Sequence, residues 1–358
     1  MQLPSHGANP KHLTKLLQLP LQENAIDFSV NTTPLPIQRH VVDNWNNYLE
    51  VITKYPDPTS EKLKMVIAEK EHLATNELLV GNGVAQLIFL IAMYFQRKRV
   101  AIVEPTFSEY RDACRTFGCD IEAIVLNEPW LFDVDKILQG CLKSQLLFIC
   151  NPNNPTGVAY PLRQLEDVIK SLALVDITVV IDEAFFDFQE EGKTLIQLIK
   201  RYPNLIVLRS LTKMYGIAGL RLGYMAANPI IIKNISKLQN PWSVNGIAQL
   251  LGCDCIEDVQ YVKNVQEFVT VERKRVFYRL QQLGYETSNS QVNFYLLREV
   301  EKQEDCLILM KYLIENGLIP RHTYNFPTLE GRYLRLAIKT VEENNQLLTV
   351  LQRWKQRC

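Results

Sequence analysis

Four short stretches of the chain hold side chains whose types suit shared chemistry. Gly81-Asn-Gly-Val-Ala-Gln86 leads into the apolar run Leu87–Phe95. A glycine loop that opens a helix offers free backbone N–H groups and the positive end of the helix dipole, which suits a phosphate. The same loop also reads as a turn that merely starts a buried helix. Asn151-Pro-Asn-Asn-Pro-Thr-Gly157 follows an apolar run ending at Cys150. Turn chemistry accounts for much of its composition, yet the end of a strand is where ligands bind in open α/β sheets. Ile181-Asp-Glu-Ala184 ends the next apolar run with two carboxylates. Asp182 there is either a helix cap or the counter-charge of a protonated heterocycle. Ser210-Leu-Thr-Lys213 ends the run after that and precedes Gly219-Leu-Arg221. Lysines are ordinarily solvated surface charges, but Lys213 stands between two buried runs. Desolvation there lowers an amine's pKa and prepares it to form a Schiff base. Ser210, Thr212 and Arg221 are then available to the same phosphate as the Gly81 loop.

The elements that must position these groups are short apolar runs alternating with helix-length segments. Candidate strands are Val100–Val103, Leu146–Cys150, Thr178–Ile181, Leu205–Leu208 and Gly223–Ala227. Near-continuous apolarity is what a strand buried on both faces of a parallel sheet shows. Helical segments such as Leu162–Leu174 and Thr194–Tyr202 lie between them. The alternation predicts an α/β fold with a mostly parallel central sheet and helices on both faces. After about Asn240 the pattern changes to a long helical stretch, Ile256–Leu283, then an alternating strand, Val292–Arg298. A helix near Asp305–Asn316, a strand Tyr333–Ile338 and a closing helix follow. We therefore expect a large domain over 31–240 and a smaller α+β domain over 241–358, closely packed because no low-complexity linker separates them.

Taken together, the phosphate cradle, the Asn turn, the carboxylate and the lysine meet the requirements of pyridoxal 5′-phosphate. Its aldehyde needs a lysine, its pyridinium nitrogen a carboxylate, and its phosphate a helix start with an arginine. Asn154 precedes Asp182 by 28 residues and Asp182 precedes Lys213 by 31, spacings that resemble those of fold-type I pyridoxal-phosphate enzymes. The chain resembles the histidinol-phosphate aminotransferase branch of that fold and, within it, the threonine-phosphate decarboxylases of cobalamin biosynthesis. The resemblance runs from His6 to about Leu351. It is carried by Ser5-His-Gly-Ala-Asn9, Asp27-Phe-Ser-Val-Asn31, Tyr55-Pro-Asp57 and Pro105-Thr-Phe-Ser-Glu-Tyr110. It continues in Asp182-Glu-Ala-Phe-Phe-Asp-Phe188, Leu208-Arg-Ser-Leu-Thr-Lys213, Pro241-Trp-Ser-Val-Asn245 and Arg332-Tyr-Leu-Arg335. The cofactor motifs belong to the whole branch. The His-Gly start, the Asp27–Asn31 segment, Phe185 and the Pro241–Asn245 segment point to the decarboxylases.

The resemblance implies roles residue by residue. Lys213 and Asp182 are the catalytic pair, the lysine joined to the cofactor aldehyde and the carboxylate paired with the pyridine nitrogen. Asn154 meets the ring's phenolic oxygen and the substrate, and Phe107 stacks on the ring. The backbone amides of Val84 and Ala85, with Ser210, Thr212 and Arg221, hold the cofactor phosphate. Tyr55 reaches the cofactor of a neighbouring subunit, which implies a homodimer with shared active sites. Arg335 clamps the carboxylate of a small phosphorylated amino acid, and Arg321, Asn31, His6 and Gly7 surround its far end. Residues 1–30 form an arm over the active site; by itself, His6 reads as a residue of a terminal tail. Three positions depart from the branch. Phe185 stands where its aminotransferases often carry Tyr, Val84-Ala85-Gln86 replaces polar residues, and Pro320 replaces an apolar one. Two arginines suit a substrate with two anionic ends, because guanidinium binds carboxylate and phosphate bidentately. Which Cα bond stands perpendicular to the ring decides between decarboxylation and transamination, and both remain readings of the sequence, beside a non-catalytic cofactor-binding protein.

Composition narrows the classes further. Of 358 residues 47% are hydrophobic and 22% charged, enough apolar content for a sizeable core. Thirty-nine basic residues balance thirty-nine acidic ones, which argues against a general binder of nucleic acid or anionic membrane. No apolar run approaches the about 18 residues of a membrane span, and Met1–Leu13 lacks the pattern of a secretory signal. We expect a soluble cytoplasmic protein. The eight cysteines, Cys358 among them, are scattered with no C-x-x-C pair, so we expect reduced packing thiols and no metal site. The stretch before Asp27 is too short for the DNA-binding domain that turns such folds into regulators.

Overall fold

The computed structural model of the chain describes residues 3–301 and 305–357. Met1, Gln2, residues 302–304 and Cys358 lie outside that range, so the expectation for Cys358 does too; the seven other cysteines are free thiols.

Apolar runs build a seven-stranded sheet from β1 (Leu78–Gly81), β2 (Arg99–Glu104), β3 (Asp120–Val125), β4 (Leu146–Cys150), β5 (Thr178–Asp182), β6 (Leu205–Ser210) and β7 (Gly223–Ala227). Their spatial order is β1-β7-β6-β5-β4-β2-β3. The pairs from β3 through β6 are parallel, and β7 runs antiparallel to both β1 and β6. The reversal follows from the connection. Between Ser210 and Gly223 the chain holds only a one-turn helix, Leu211–Met214, and a 3₁₀ turn, Ala218–Leu220, whereas a parallel return needs a full crossover, usually a helix. Both sheet faces are covered. Leu147, Ile149, Val179, Ile181 and Val207 enter one apolar cluster, while their alternates Leu146, Phe148, Val180, Ile206 and Leu208 enter another on the opposite side. Alternate burial of this kind is the period-two geometry of a strand. The helix Leu162–Ala173 turns Leu165, Val168, Ile169 and Leu172 onto the first face, and Gly83–Tyr94 turns Leu87, Ile88 and Ile91 onto the second. Where Thr194–Tyr202 reads as a helical segment, the chain makes a 3₁₀ helix over Ile196–Lys200.

The second sheet has four antiparallel strands in the order Arg321–His322, Leu334–Ala337, Phe294–Glu299, Tyr285–Thr287. The helix expected over Ile256–Leu283 is Val259–Gln282, and a further helix, Gly246–Glu257, precedes it. Asp258 divides them: its side chain accepts from the Tyr261 N–H and so caps the second helix. Thr340 and Glu343 form a reciprocal capping box at the start of the closing helix, Val341–Lys355. The core of this unit includes Leu13, Leu17 and Phe28, and Ile26–Asp27 pairs in parallel with Leu318–Ile319. Much of the expected arm is therefore integral to the smaller unit. Contacts cross between the two units: Arg298 donates to both carboxylate oxygens of Glu128 at 2.8 and 3.1 Å, and Asn293 Nδ2 donates to the carbonyls of Asn31 and Thr32. Among the described residues no helix is long and apolar enough to cross a membrane.

Candidate active site

A cavity of about 370 Å³ opens at the carboxyl ends of β4, β5 and β6, where Cys150, Asp182 and Ser210 contribute to its wall. Parallel strands end there with their last residues facing outward, the position at which α/β sheets bind ligands.

Asp182 is the final residue of β5 and is buried. Its Oδ1 accepts from the Ala184 N–H at 2.9 Å and its Oδ2 from the Tyr110 hydroxyl at 2.6 Å. Burial pushes the carboxyl up to about 6, against the opposing pull of those two donors and of the Lys213 charge. Lys213 sits on the one-turn helix after β6, its Nζ 5.8 Å from the centre of the Phe185 ring. Burial first, then the charges of Arg335 and Arg221, bring its amine down to about 8.

The phosphate end is built by close approach. Gly83 opens its helix with φ +74°, and a Cβ there would stand 2.6 Å from Arg221 Nη2. Only glycine accommodates both the left-handed backbone and the guanidinium laid against the helix start. The helix start is held by Gln86, whose Oε1 accepts from the Asn82 N–H at 2.8 Å. Ser210 Oγ and Thr212 Oγ1 lie 2.8 Å apart and both line the cavity with Val84, Ala85 and Arg221. A helix N-terminus, an arginine and two hydroxyls make an anion cradle that fits a phosphate ester. A buried carboxylate and a low-pKa amine beyond it fit a pyridine nitrogen and an aldehyde.

At the other end Arg335 is buried, with Nη1 donating to Asn154 Oδ1 at 2.5 Å and Nη2 to the Ser29 carbonyl at 2.9 Å. Both acceptors are neutral, and burial lowers its pKa to about 10 in spite of Asp27. Asn31 lines the cavity and its buried Nδ2 has no hydrogen-bond acceptor. The arm crosses here: His6 Nε2 lies 3.2 Å from Glu109 Oε1, and the Ala8 N–H donates to Ser29 Oγ at 3.0 Å.

The cavity thus brings together His6, Gly7, Asn31, Val84, Ala85, Phe107, Asn154, Asp182, Ser210, Thr212, Lys213, Arg221 and Arg335, as expected from the sequence. Two expected residues stand outside it. Arg321 is buried one layer behind the arm, donating to the carbonyls of Ser5 and His322 and to Asn325 Oδ1. Tyr55 is 85% exposed, its ring 5.3 Å from that of Trp242. Sequence reasoning missed Tyr110 and Ser29 as members of the site. Tyr110 stands three residues after Phe107 at the start of the helix Glu109–Thr116, and the two rings meet edge to face at 5.9 Å; that aromatic spacing was the available signal. Among the described residues no group of three or more His, Cys, Asp or Glu side chains is placed to hold a metal.

The family model "Aminotransferase class I and II" matches residues 18–351. Threonine-phosphate decarboxylase of Salmonella typhimurium is 32% identical over 355 residues, covering 97% of this chain and 95% of the relative. Histidinol-phosphate aminotransferase of Thermoanaerobacter pseudethanolicus is 33% identical over 328 residues, covering 90% of each. The crystal structure of L-threonine-O-3-phosphate decarboxylase from Porphyromonas gingivalis matches with a TM-score of 0.82 at 27% identity, covering 92% of this chain and 99% of that one. With its fold-type I sheet, its anion cradle and its Asp182–Lys213 pair, the chain belongs to the class I and II aminotransferase family, and its cofactor is pyridoxal 5′-phosphate.

Proposed function

We propose that the chain decarboxylates a small phosphorylated amino acid, O-phospho-L-threonine, and that O-phospho-L-serine also reacts. The products are 1-amino-2-propanol O-2-phosphate, for the nucleotide loop of cobalamin, and ethanolamine phosphate. The observation that carries the reading is the charge of the cavity. Among the described residues Lys213, Arg221 and Arg335 line it with a single carboxylate, Asp182, and Arg335 directs its hydrogen bonds to neutral oxygens. A cofactor phosphate accounts for Arg221 and the helix start. A second anionic molecule accounts for Arg335 and for the unpaired Asn31 amide.

Pyridoxal 5′-phosphate, when bound, supplies an acceptor for the electron pair left as a bond to the substrate Cα breaks. Asp182, ionised above about pH 6, keeps a proton on the ring nitrogen. Arg335 holds the substrate carboxylate, while Asn31, His6 and Gly7 take the phosphate end, with Arg321 fixing the arm through the Ser5 carbonyl. Binding energy from that remote end sets which Cα bond is broken. As carbon dioxide leaves, the Lys213 ammonium returns one proton to Cα, so the substrate exchanges its carboxylate for hydrogen. Phe185, buried against Phe294 at 4.7 Å, gives an apolar ring beside Lys213 where the aminotransferases of the branch often place a hydroxyl.

The reading includes a homodimer. Tyr55 stands outside its own cavity with its ring against the exposed Trp242, and Trp45, Leu49 and Ile52, a few residues before it in the chain, are exposed too; exposed apolar side chains of this kind mark an interface. A second copy seated there receives Tyr55 at its cofactor phosphate. The alternative, a histidinol-phosphate-type aminotransferase, is favoured by the Thermoanaerobacter relative at similar identity. Incubation with cofactor and phosphothreonine, with no keto acid present, separates the two. A decarboxylase evolves carbon dioxide through many turnovers; an aminotransferase stops after one half-reaction.

A further inference from the structure

Tyr110 has no place in the mechanism above, yet it is fully buried and its hydroxyl meets the Asp182 carboxylate in the cavity wall at 2.6 Å. Its ring is fixed from two sides, stacked on Phe148 at 5.0 Å with an interplanar angle of 12° and met edge-on by Phe107 at 5.9 Å. An ionised carboxylate only accepts hydrogen bonds, so the Tyr110 O–H points at Asp182 Oδ2. The Ala184 N–H fixes Oδ1 in the same way. Each oxygen keeps a further lone pair, and the two donors leave the carboxylate a single orientation toward the cavity.

We propose that Tyr110 is a positioning residue that aims Asp182 at the cofactor ring nitrogen and keeps it ionised near neutral pH. The proposal rests on the reading of Asp182 as the partner of that nitrogen. A hydrogen bond donated to the charged form favours the charged form, and here it opposes a burial that has pushed Asp182 up to about 6. The other groups facing Asp182 do not substitute for it. Cys150 on β4, paired in register with Asp182, is held neutral by burial with its thiol raised to about 12. On β6, Leu208 is the register partner, and its side chain has no donor. Lys213 lowers the Asp182 pKa by charge alone. Glu183, the next residue, turns to Arg209. Without the Tyr110 hydroxyl, Asp182 takes up a proton at higher pH and no longer answers a protonated ring nitrogen.

The test uses the full-length chain stripped of cofactor and titrated with pyridoxine 5′-phosphate, an alcohol that Lys213 cannot trap. Binding is measured against pH in the native sequence, in Tyr110→Phe, in Asp182→Asn and in the double variant. Phenylalanine keeps the stacked ring and removes only the hydroxyl. We expect native affinity to fall as pH drops through about 6. In Tyr110→Phe it falls at a higher pH, with binding about tenfold weaker at neutral pH, the scale of one hydrogen bond to a charged group. In the Asp182→Asn background the same change has no effect. A Tyr110→Phe protein that matches the native titration while Asp182→Asn weakens binding overturns the role of Tyr110 alone. An equal Tyr110→Phe deficit in both backgrounds also overturns it. Native-like binding by Asp182→Asn removes the ring-nitrogen reading itself.

Discussion

Lys213 and Asp182 are shifted in opposite directions by one cause. Burial penalises any charge, so it lowers the lysine to about 8 and raises the aspartate to about 6. The pair is thereby brought to the two sides of neutrality, where one can carry the counter-charge and the other move protons. Two expectations follow at this scale. Lys213→Ala abolishes both turnover and borohydride trapping of the cofactor, because no other lysine among the described residues lines the cavity; a variant still trapped by borohydride means that the amine has been misassigned. Only a neutral amine attacks an aldehyde, so cofactor uptake by the stripped protein accelerates as pH rises through about 8. Stopped-flow absorbance measures this, and a rate flat across that value contradicts the lowered lysine.

The helix beginning at Gly83 serves through its backbone, so a substitution there tests an element rather than a side chain. Gly83→Val places a Cβ 2.6 Å from Arg221 Nη2 on a backbone at φ +74°, at a cost of roughly 1–2 kcal/mol for the left-handed conformation alone. Spectrophotometric titration then shows cofactor binding weakened at least tenfold, while circular dichroism shows the fold retained; undiminished affinity means that the helix start is not the cradle. The ends of β4, β5 and β6 were legible in the sequence because each is a continuous apolar run with chemistry in the next few residues. The strands β1 and β3 were not. The first has only four residues, and the second is a sheet edge whose Asp120-Ile-Glu-Ala-Ile-Val pattern is half exposed. The direction of β7 was illegible for a different reason, since its composition suits either direction and the connection decides. Tyr110 escaped, and Arg321 was expected at the substrate rather than behind the arm, for a third: their partners, Asp182 and the Ser5 carbonyl, lie 72 and 316 residues away, and no local pattern encodes such pairings.

At the scale of the whole molecule the site is a seam. Arg335 from the smaller sheet donates to Asn154 at the end of β4, and the arm closes the gap by reaching Glu109. The two units must therefore pack correctly before the cavity exists. The proposed second copy extends the same logic, because Tyr55 is 85% exposed and outside its own cavity. Ile52→Glu, at an exposed apolar residue three positions before Tyr55, converts the proposed dimer to a monomer by sedimentation velocity and weakens cofactor retention; a monomer with native activity contradicts the shared site. The central claim is that the cavity holds a phosphorylated amino acid so that its carboxylate is lost. The measurement that bears on it most directly is product identity by mass spectrometry, with phosphothreonine, phosphoserine, and histidinol phosphate plus 2-oxoglutarate supplied separately. Aminopropanol phosphate from the first and ethanolamine phosphate from the second, each with carbon dioxide, and no glutamate from the third, is the predicted result. Glutamate from the third mixture, with no carbon dioxide from the first two, contradicts it.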